Sequence, residues 1–160
     1  MIKVVIHCSD SAFGNAALIA KWHTVERGWT AIGYHYVILN GWLSSKLYHK
    51  AFDGHLETGR ALDDDEDVSG SELGAHTKGF NDAVGVCLIG HSGAFTSRQM
   101  SQLRMLLISL RAQYKEIEIL QHSDLDPTGK PYCAGLSLLM MDNLRYVKPT
   151  KGIERNINYG

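Results

Sequence analysis

The chain has 160 residues, of which 44% are hydrophobic and 21% charged, and its formal net charge is −1. This composition is typical of a single globular domain, and the lack of a basic excess argues against nucleic-acid binding. No apolar run reaches the roughly 18 residues of a membrane span, and the stretch after Lys3 is too short for a signal peptide. Because Cys8, Cys87 and Cys133 form no disulfide pattern, we expect synthesis in a reducing cytoplasm, without a signal peptide.

The first part of the chain predicts two strands with a helix between them. Ile2–Cys8 is short, apolar and β-branched, which is typical of a buried strand. Asn15 can cap a helix over Ala16–Arg27, and Gly28 stands just past its end. Ile32–Gly41 is aromatic and β-branched and predicts a second strand.

The middle of the chain is less regular. Asp53–Arg60 predicts a turn leading into a short strand, and no element is predicted for residues 42–52. The acidic run Asp63–Asp67 predicts a solvated loop, since the spaced glycine and distal glutamate of a calcium-binding loop are absent.

The second half predicts two strands and two helices. The apolar run Ala83–Gly90 indicates a central strand. Thr96, with Gln99 three residues later, has the form of a capping box opening a helix. Ile117–Leu120 predicts another strand, and Ala134–Arg145 predicts the last helix.

These elements predict an α/β (α+β) fold, a single domain over residues 1–145 with a mobile C-terminal tail over 146–160. Strands and helices alternate with too few crossovers for a doubly wound sheet. We therefore expect a mixed sheet of about five strands flanked by helices.

The strand ends carry residues that could bind a metal ion. His7 ends the first strand, His122 directly follows the strand over residues 117–120, and Cys133 comes after ten further residues. Zinc takes imidazole and thiolate ligands, and a catalytic zinc keeps three protein ligands with one position for water. Taken singly, a histidine at a strand end is more often a hydrogen-bonding residue than a ligand, and Cys133 more often a small core residue, so spacing alone leaves the site open.

Two other chemistries compete with the metal site. The stretch "GHSGA" superficially resembles a nucleophile elbow with Ser92 as nucleophile, but the following helix signal begins only at Thr96. A thiol hydrolase could use Cys133 or Cys8 with a histidine, whereas Cys87 lies inside an apolar strand and is expected in the core.

Six segments between residues 3 and 145 carry a common signal: "IHCS", "WHTVERGWTAIGYHYVI", "DGHLETGR", "GAHTKGFNDAVGVCLIG", "FTSRQ" and "QHSDLDPTGKPYCAG". Taken together and in this order, they resemble one family, the type-2 zinc-dependent N-acetylmuramoyl-L-alanine amidases. That family includes amidase-type phage lysozymes and peptidoglycan recognition proteins. Two departures are an unusual segment over residues 41–52, where the family has a tight hairpin, and Ala134 in place of a proline.

The resemblance implies zinc held by His7, His122 and Cys133, with Tyr34 and Lys130 assisting catalysis. The activated water would hydrolyse the amide bond between N-acetylmuramic acid and L-alanine in peptidoglycan. Lys130 would stabilise the oxyanion, and Tyr34 would position or exchange protons.

The resemblance also implies that His76, Lys78 and Asn81 either bind the peptide or sugar or brace the groove, while His35 is expected to be structural or to support a ligand from behind. We expect a monomeric phage endolysin whose partner is peptidoglycan or its muropeptides, with no nucleic acid and no membrane insertion. The alternatives are a non-catalytic peptidoglycan recognition module, which Cys133 argues against, and a cytoplasmic amidase that recycles muropeptides.

Overall fold

The sheet and its helices are described by a computed structural model over residues 1–146. The predicted tail beyond Tyr146 lies outside the described residues. In chain order the elements are β1 (Ile2–Cys8), α1 (Ala16–Lys21), β2 (Tyr36–Ser44), β3 (Leu47–Thr58), β4 (Val84–Leu88), α2 (Ser97–Tyr114), β5 (Ile117–Gln121), α3 (His122–Leu125) and α4 (Leu138–Arg145).

The five strands form one mixed sheet in the order β3-β2-β4-β1-β5. Strand β1 is parallel to both β4 and β5, β2 is parallel to β4, and only β3 is antiparallel to its neighbour β2. The predicted mixed, roughly five-stranded α+β fold is therefore confirmed. The central position predicted for the strand over residues 83–90 is also confirmed.

Strand β4 is buried on both faces of the sheet, which explains its continuous apolar sequence. Val84, Val86 and Leu88 belong to the core cluster that also contains the buried face of α2. Cys87 belongs to a second cluster that includes Ile19 of α1. Cys87 is therefore a core residue, as predicted.

The capping box predicted at the start of α2 is present and also joins the helix to the sheet. The Thr96 hydroxyl accepts a hydrogen bond from the Gln99 backbone N–H, and the Gln99 side chain accepts one from the Thr96 N–H. The fully buried Gln99 amide then donates to the carbonyls of Ile38 and Ile89. These bonds satisfy backbone groups at the helix end that would otherwise lack partners, and they tie α2 to β2 and to the end of β4.

The second strand and its hairpin differ from the prediction. Strand β2 covers Tyr36–Ser44 instead of Ile32–Gly41, and β3 is a twelve-residue strand that begins at Leu47 instead of a short one after residue 53. The segment over residues 41–52 thus extends a β-hairpin. Much of this extension is exposed, with Trp42 opposite Tyr48. Because most of its residues face solvent, it lacks the apolar alternation that would predict a strand.

Two helix boundaries also differ from the predictions. The Asn15 side chain caps α1 as predicted, accepting from the Leu18 N–H at 2.8 Å, but the helix continues past Lys21 as a single π-helical turn. Helix α4 begins at Leu138 instead of Ala134, because Ser137 caps it and Gly135 before it has a left-handed φ of 83°. Within residues 1–146, no helix has the length and apolar character needed to span a membrane.

Candidate metal centre

Three potential metal ligands meet at the carboxyl ends of β1 and β5. His7 lies near the end of β1, and His122 is the first residue after β5. Because these strands are adjacent and parallel, both imidazoles lie at the same edge of the sheet. Cys133 approaches from the loop after α3. The ligand atoms of the three residues lie within 4.8 Å of one another.

The distances between the donor atoms suit a tetrahedral metal ion. His7 Nδ1 lies 3.0 Å from His122 Nδ1 and 3.9 Å from Cys133 Sγ. Zinc–ligand bonds of about 2.1 Å to nitrogen and 2.3 Å to sulfur at tetrahedral angles would separate these atoms by about 3.4 and 3.6 Å. One ion can therefore contact all three donors after small side-chain movements.

The loop that carries Cys133 is held by its own backbone. The Lys130 N–H donates to the Asp126 carbonyl at 2.9 Å, and the Gly129 N–H donates to the Asp126 side chain at 2.9 Å. The Ser123 N–H donates to the Cys133 carbonyl at 2.6 Å, which brings the cysteine back to the start of α3. These turns explain how ten intervening residues place Cys133 beside His122.

A chain of hydrogen bonds fixes which nitrogen of His7 faces the other donors. The Ala83 carbonyl can only accept, so His76 Nε2, at 2.8 Å, must carry the proton. His76 Nδ1 is then an acceptor in the neutral ring, and it accepts from His7 Nε2 at 3.0 Å. His7 Nδ1 is left with its lone pair directed toward His122 and Cys133. This is the arrangement of a metal-binding histidine oriented by a second residue.

Burial keeps these imidazoles neutral. Desolvation is the main cause that lowers the pKa of His7 and of His122, and the positive charge of Lys130 lowers both further. Desolvation likewise lowers the pKa of His76 to about 4. A neutral imidazole is the form that binds metal ions, so the site favours cation binding at neutral pH.

Cys8 and Cys133 lie side by side and interact strongly. The Cys8 backbone N–H points at Cys133 Sγ, 3.4 Å away. A hydrogen bond from Cys133 lowers the pKa of Cys8 to about 7, and the same interaction raises the pKa of Cys133. A cation bound at the three donors would reverse this preference, because a coordinating thiol is deprotonated outright. The Cys8 N–H would then stabilise the Cys133 thiolate.

The three donors line a cavity of about 770 Å³ that is open to solvent. Tyr34 and Lys130 also line it, so the structure brings all five predicted metal-binding and catalytic residues together. The Tyr34 ring is 5.1 Å from the His7 ring, and desolvation raises the pKa of its hydroxyl well above 10. Tyr34 therefore stays protonated and can act as a hydrogen-bond donor, and in this structure its hydroxyl lies near the buried Cys87 thiol.

Only one of the three predicted substrate-binding residues lines the cavity. His76 lines the cavity but is 8% exposed and contacts His7, whereas Lys78 and Asn81 are exposed and lie outside the cavity lining. His35 is fully buried: it accepts from the Gly85 N–H at 2.9 Å and donates to a backbone carbonyl. That bonding agrees with the structural role expected for it.

Several cavity residues were not singled out from the sequence. Arg27 lies over the Trp29 ring at 5.2 Å on one wall, and Asp10, His91 and Tyr132 form other parts of the lining. Arg27 and Trp29 lie within the segment "WHTVERGWTAIGYHYVI", but the sequence alone does not show that they line the cavity. Asp10 could have been expected near the site from the sequence, because it follows His7 closely in the chain.

Ser92 also lines the cavity, but its surroundings differ from a nucleophile elbow. Its hydroxyl donates to the Tyr132 carbonyl at 2.5 Å, and α2 begins only at Ser97. An elbow needs the helix to start directly after the serine. The geometry therefore does not support a serine nucleophile.

Comparison with known proteins identifies the family. The chain is 34% identical over 140 residues to an endolysin of Klebsiella phage KP32, covering 81% of this chain and 79% of that protein. This chain belongs to the phage endolysin family. No protein-family model matches the sequence.

Solved structures support the same fold for this endolysin. An N-acetylmuramoyl-L-alanine amidase, LysC from Clostridium intestinale, matches with a TM-score of 0.68 and 23% identity over 91% of this chain and 85% of that one. The bumblebee protein PGRP-SA matches with a TM-score of 0.65 and 22% identity, over 94% and 85% of the two chains. The predicted resemblance is thus confirmed at the level of family and fold.

The His7–His76 contact gives a first testable prediction for this endolysin. Replacing His76 with alanine should weaken metal binding about 10- to 100-fold, because His7 loses the group that orients its ring. If His76 instead contacts substrate, the variant should keep its metal affinity and raise KM. Metal affinity by competition with a chromophoric chelator, measured alongside kcat and KM, separates these outcomes. An Asn81→Ala variant, altered at an exposed position outside the cavity lining, serves as the comparison for metal binding.

Proposed function

We propose that this endolysin is a zinc-dependent N-acetylmuramoyl-L-alanine amidase that acts on the bacterial cell wall. Its substrate is the amide bond between N-acetylmuramic acid and L-alanine in peptidoglycan. The observation that carries the proposal is the convergence of His7 Nδ1, His122 Nδ1 and Cys133 Sγ at an open cavity. Family membership and the amidase fold support it.

Zinc is the metal that fits this donor set best. Two neutral imidazoles and one thiolate form a mixed nitrogen–sulfur site, and such sites favour zinc over the oxygen-seeking magnesium and calcium ions. Three protein ligands leave a fourth position toward the cavity, as catalytic zinc sites require. When bound, zinc supplies Lewis acidity that activates a water molecule and polarises the amide carbonyl.

The remaining side chains have separate roles in this proposal. Tyr34, held in its protonated form by burial, donates a hydrogen bond to the attacking water or to the substrate carbonyl. The Lys130 ammonium lies near enough to affect both His7 and His122 and stabilises negative charge that develops on the carbonyl oxygen. His76 holds His7 in its metal-binding orientation.

The product of wall digestion tests the reaction. Purified peptidoglycan treated with the zinc-loaded enzyme should release new L-alanine amino termini and no new reducing sugar ends. Thorough chelation should abolish the release, and added zinc should restore it. New reducing ends without new amines would contradict the amidase assignment, and full activity in metal-free protein would contradict the zinc mechanism. A protein that binds zinc and wall but never cleaves the wall would favour the recognition module instead.

A further inference from the structure

A second group of potential metal ligands lies away from the cavity, in the acidic segment between β3 and β4. Carboxylate oxygens of Asp63, Asp65 and Glu72 lie within 4.8 Å of one another. The two aspartates are exposed, whereas Glu72 is only 6% exposed and forms the buried side of the group. The solvated loop predicted for residues 63–67 therefore folds onto a buried glutamate that the sequence analysis did not connect with it.

The backbone holds these carboxylates in place. Glu72 accepts from the N–H groups of Asp63 at 2.5 Å and Ser69 at 3.1 Å. Asp63 accepts from the Asp65 N–H, and Asp65 from the Asp67 N–H, each at 2.9 Å. Each carboxylate keeps further lone pairs free to accept from another partner.

No positive side chain neutralises the group within residues 1–146. None of the ion pairs found there includes Asp63, Asp65 or Glu72: the nearby Lys115 pairs with Glu66. Arg60 donates to the Ser71 carbonyl at 3.5 Å. Carboxylates this close repel one another, and a bound cation would remove that repulsion.

Independent support comes from Tyr114, at the end of α2. Its side chain is 5% exposed, and its hydroxyl has no hydrogen-bond partner among residues 1–146. The residues on either side of it, Gln113 and Lys115, both bond to the acidic loop. Burial raises the pKa of Tyr114 to about 12, with further contributions from Tyr36 and then from Glu72, Asp65 and Asp63, so these carboxylates lie within electrostatic range of its hydroxyl. A buried hydroxyl without a partner is costly, so this one points to a missing ligand.

We propose that Asp63, Asp65 and Glu72 bind a calcium ion, and that the Tyr114 hydroxyl contacts the ion or one of its water molecules. Calcium takes oxygen ligands at about 2.4 Å, so oxygens within twice that distance can share one ion. The ligands come from an acidic turn and from Glu72, which packs against that turn, and this arrangement lacks the residue spacing of the calcium-binding loop considered in the sequence analysis.

The proposed site connects to the cavity through the backbone of Glu72. The Gly85 N–H donates to His35 Nδ1, so His35 Nε2 carries the proton and donates to the Glu72 carbonyl at 2.6 Å. His35 is the neighbour of Tyr34. Calcium would therefore stabilise the segment that supports one wall of the cavity, and its main effect should be on thermal stability.

Calcium binding can be tested on the full-length, zinc-loaded protein with isothermal titration calorimetry and thermal unfolding. Calcium chloride should bind at one saturable site per chain and raise Tm, without changing the zinc content. Asp65→Asn should weaken calcium binding about tenfold or more, because the site loses one charged ligand. Asp64→Asn removes the same charge from the same loop outside the group and should bind calcium with nearly wild-type affinity.

Tyr114→Phe provides a test without any change in charge. It should weaken calcium binding and reduce the rise in Tm that calcium produces. Wild-type calcium affinity in this variant would overturn the assignment of Tyr114. Absence of saturable binding at millimolar calcium, or equal losses in Asp64→Asn and Asp65→Asn, would overturn the site itself.

Discussion

Replacing Cys133 with serine should remove zinc binding and amide hydrolysis together while the fold persists. A serine hydroxyl has nearly the size of the thiol but is a poor zinc ligand at neutral pH, since zinc binds the thiolate. Loss of the metal removes several kcal/mol of transition-state stabilisation, so activity should fall by at least about 10²-fold. Zinc content, wall hydrolysis and circular dichroism measured on one preparation test this.

Cys8→Ser is the matched control for this experiment. Cys8 lies beside Cys133 but is not among the three donors, and its backbone N–H, which serine retains, makes the contact with Cys133 Sγ. This variant should keep zinc and activity. Zinc bound by Cys133→Ser but lost from Cys8→Ser would show that the ligand assignment is wrong. Thermal unfolding adds a further check, because only Cys133→Ser should lose the stabilisation that added zinc gives.

Replacing Tyr34 with phenylalanine, or Lys130 with alanine, should lower the rate by about 10²-fold while zinc content stays at the wild-type level. The first change removes only the hydroxyl, so the ring still packs against His7. The second removes the positive charge from the cavity wall. Because both groups are proposed to act in the transition state, the loss should fall on kcat more than on KM.

Two variants control for the general effects of these changes. Tyr146→Phe removes a hydroxyl from an exposed residue at the end of α4, and Lys21→Ala removes a charge from the exposed end of α1. Both lie outside the cavity lining and should retain full activity. If Tyr34→Phe and Lys130→Ala also retained full activity, the proton transfers and oxyanion stabilisation would need other groups.

The sequence by itself was sufficient to predict those strands and helix ends that depend on residues close together in the chain. Strands β1, β4 and β5 are short apolar or β-branched runs, and the cap of α2 depends on two residues three positions apart. The proposed ligand set could be inferred from segments that resemble the amidase family, although spacing alone had left it undecided. The hairpin extension could not be predicted, since its exposed residues do not alternate between core and solvent.

Only the tertiary structure decided which distant residues meet. His7 is 115 residues from His122 and 126 from Cys133, and their contact depends on the parallel pairing of β1 with β5. The same long-range packing turned His76 toward His7 and brought the acidic loop against Glu72 and the end of α2. Such contacts arise from burial and hydrogen bonding across the whole fold, so local sequence patterns do not encode them.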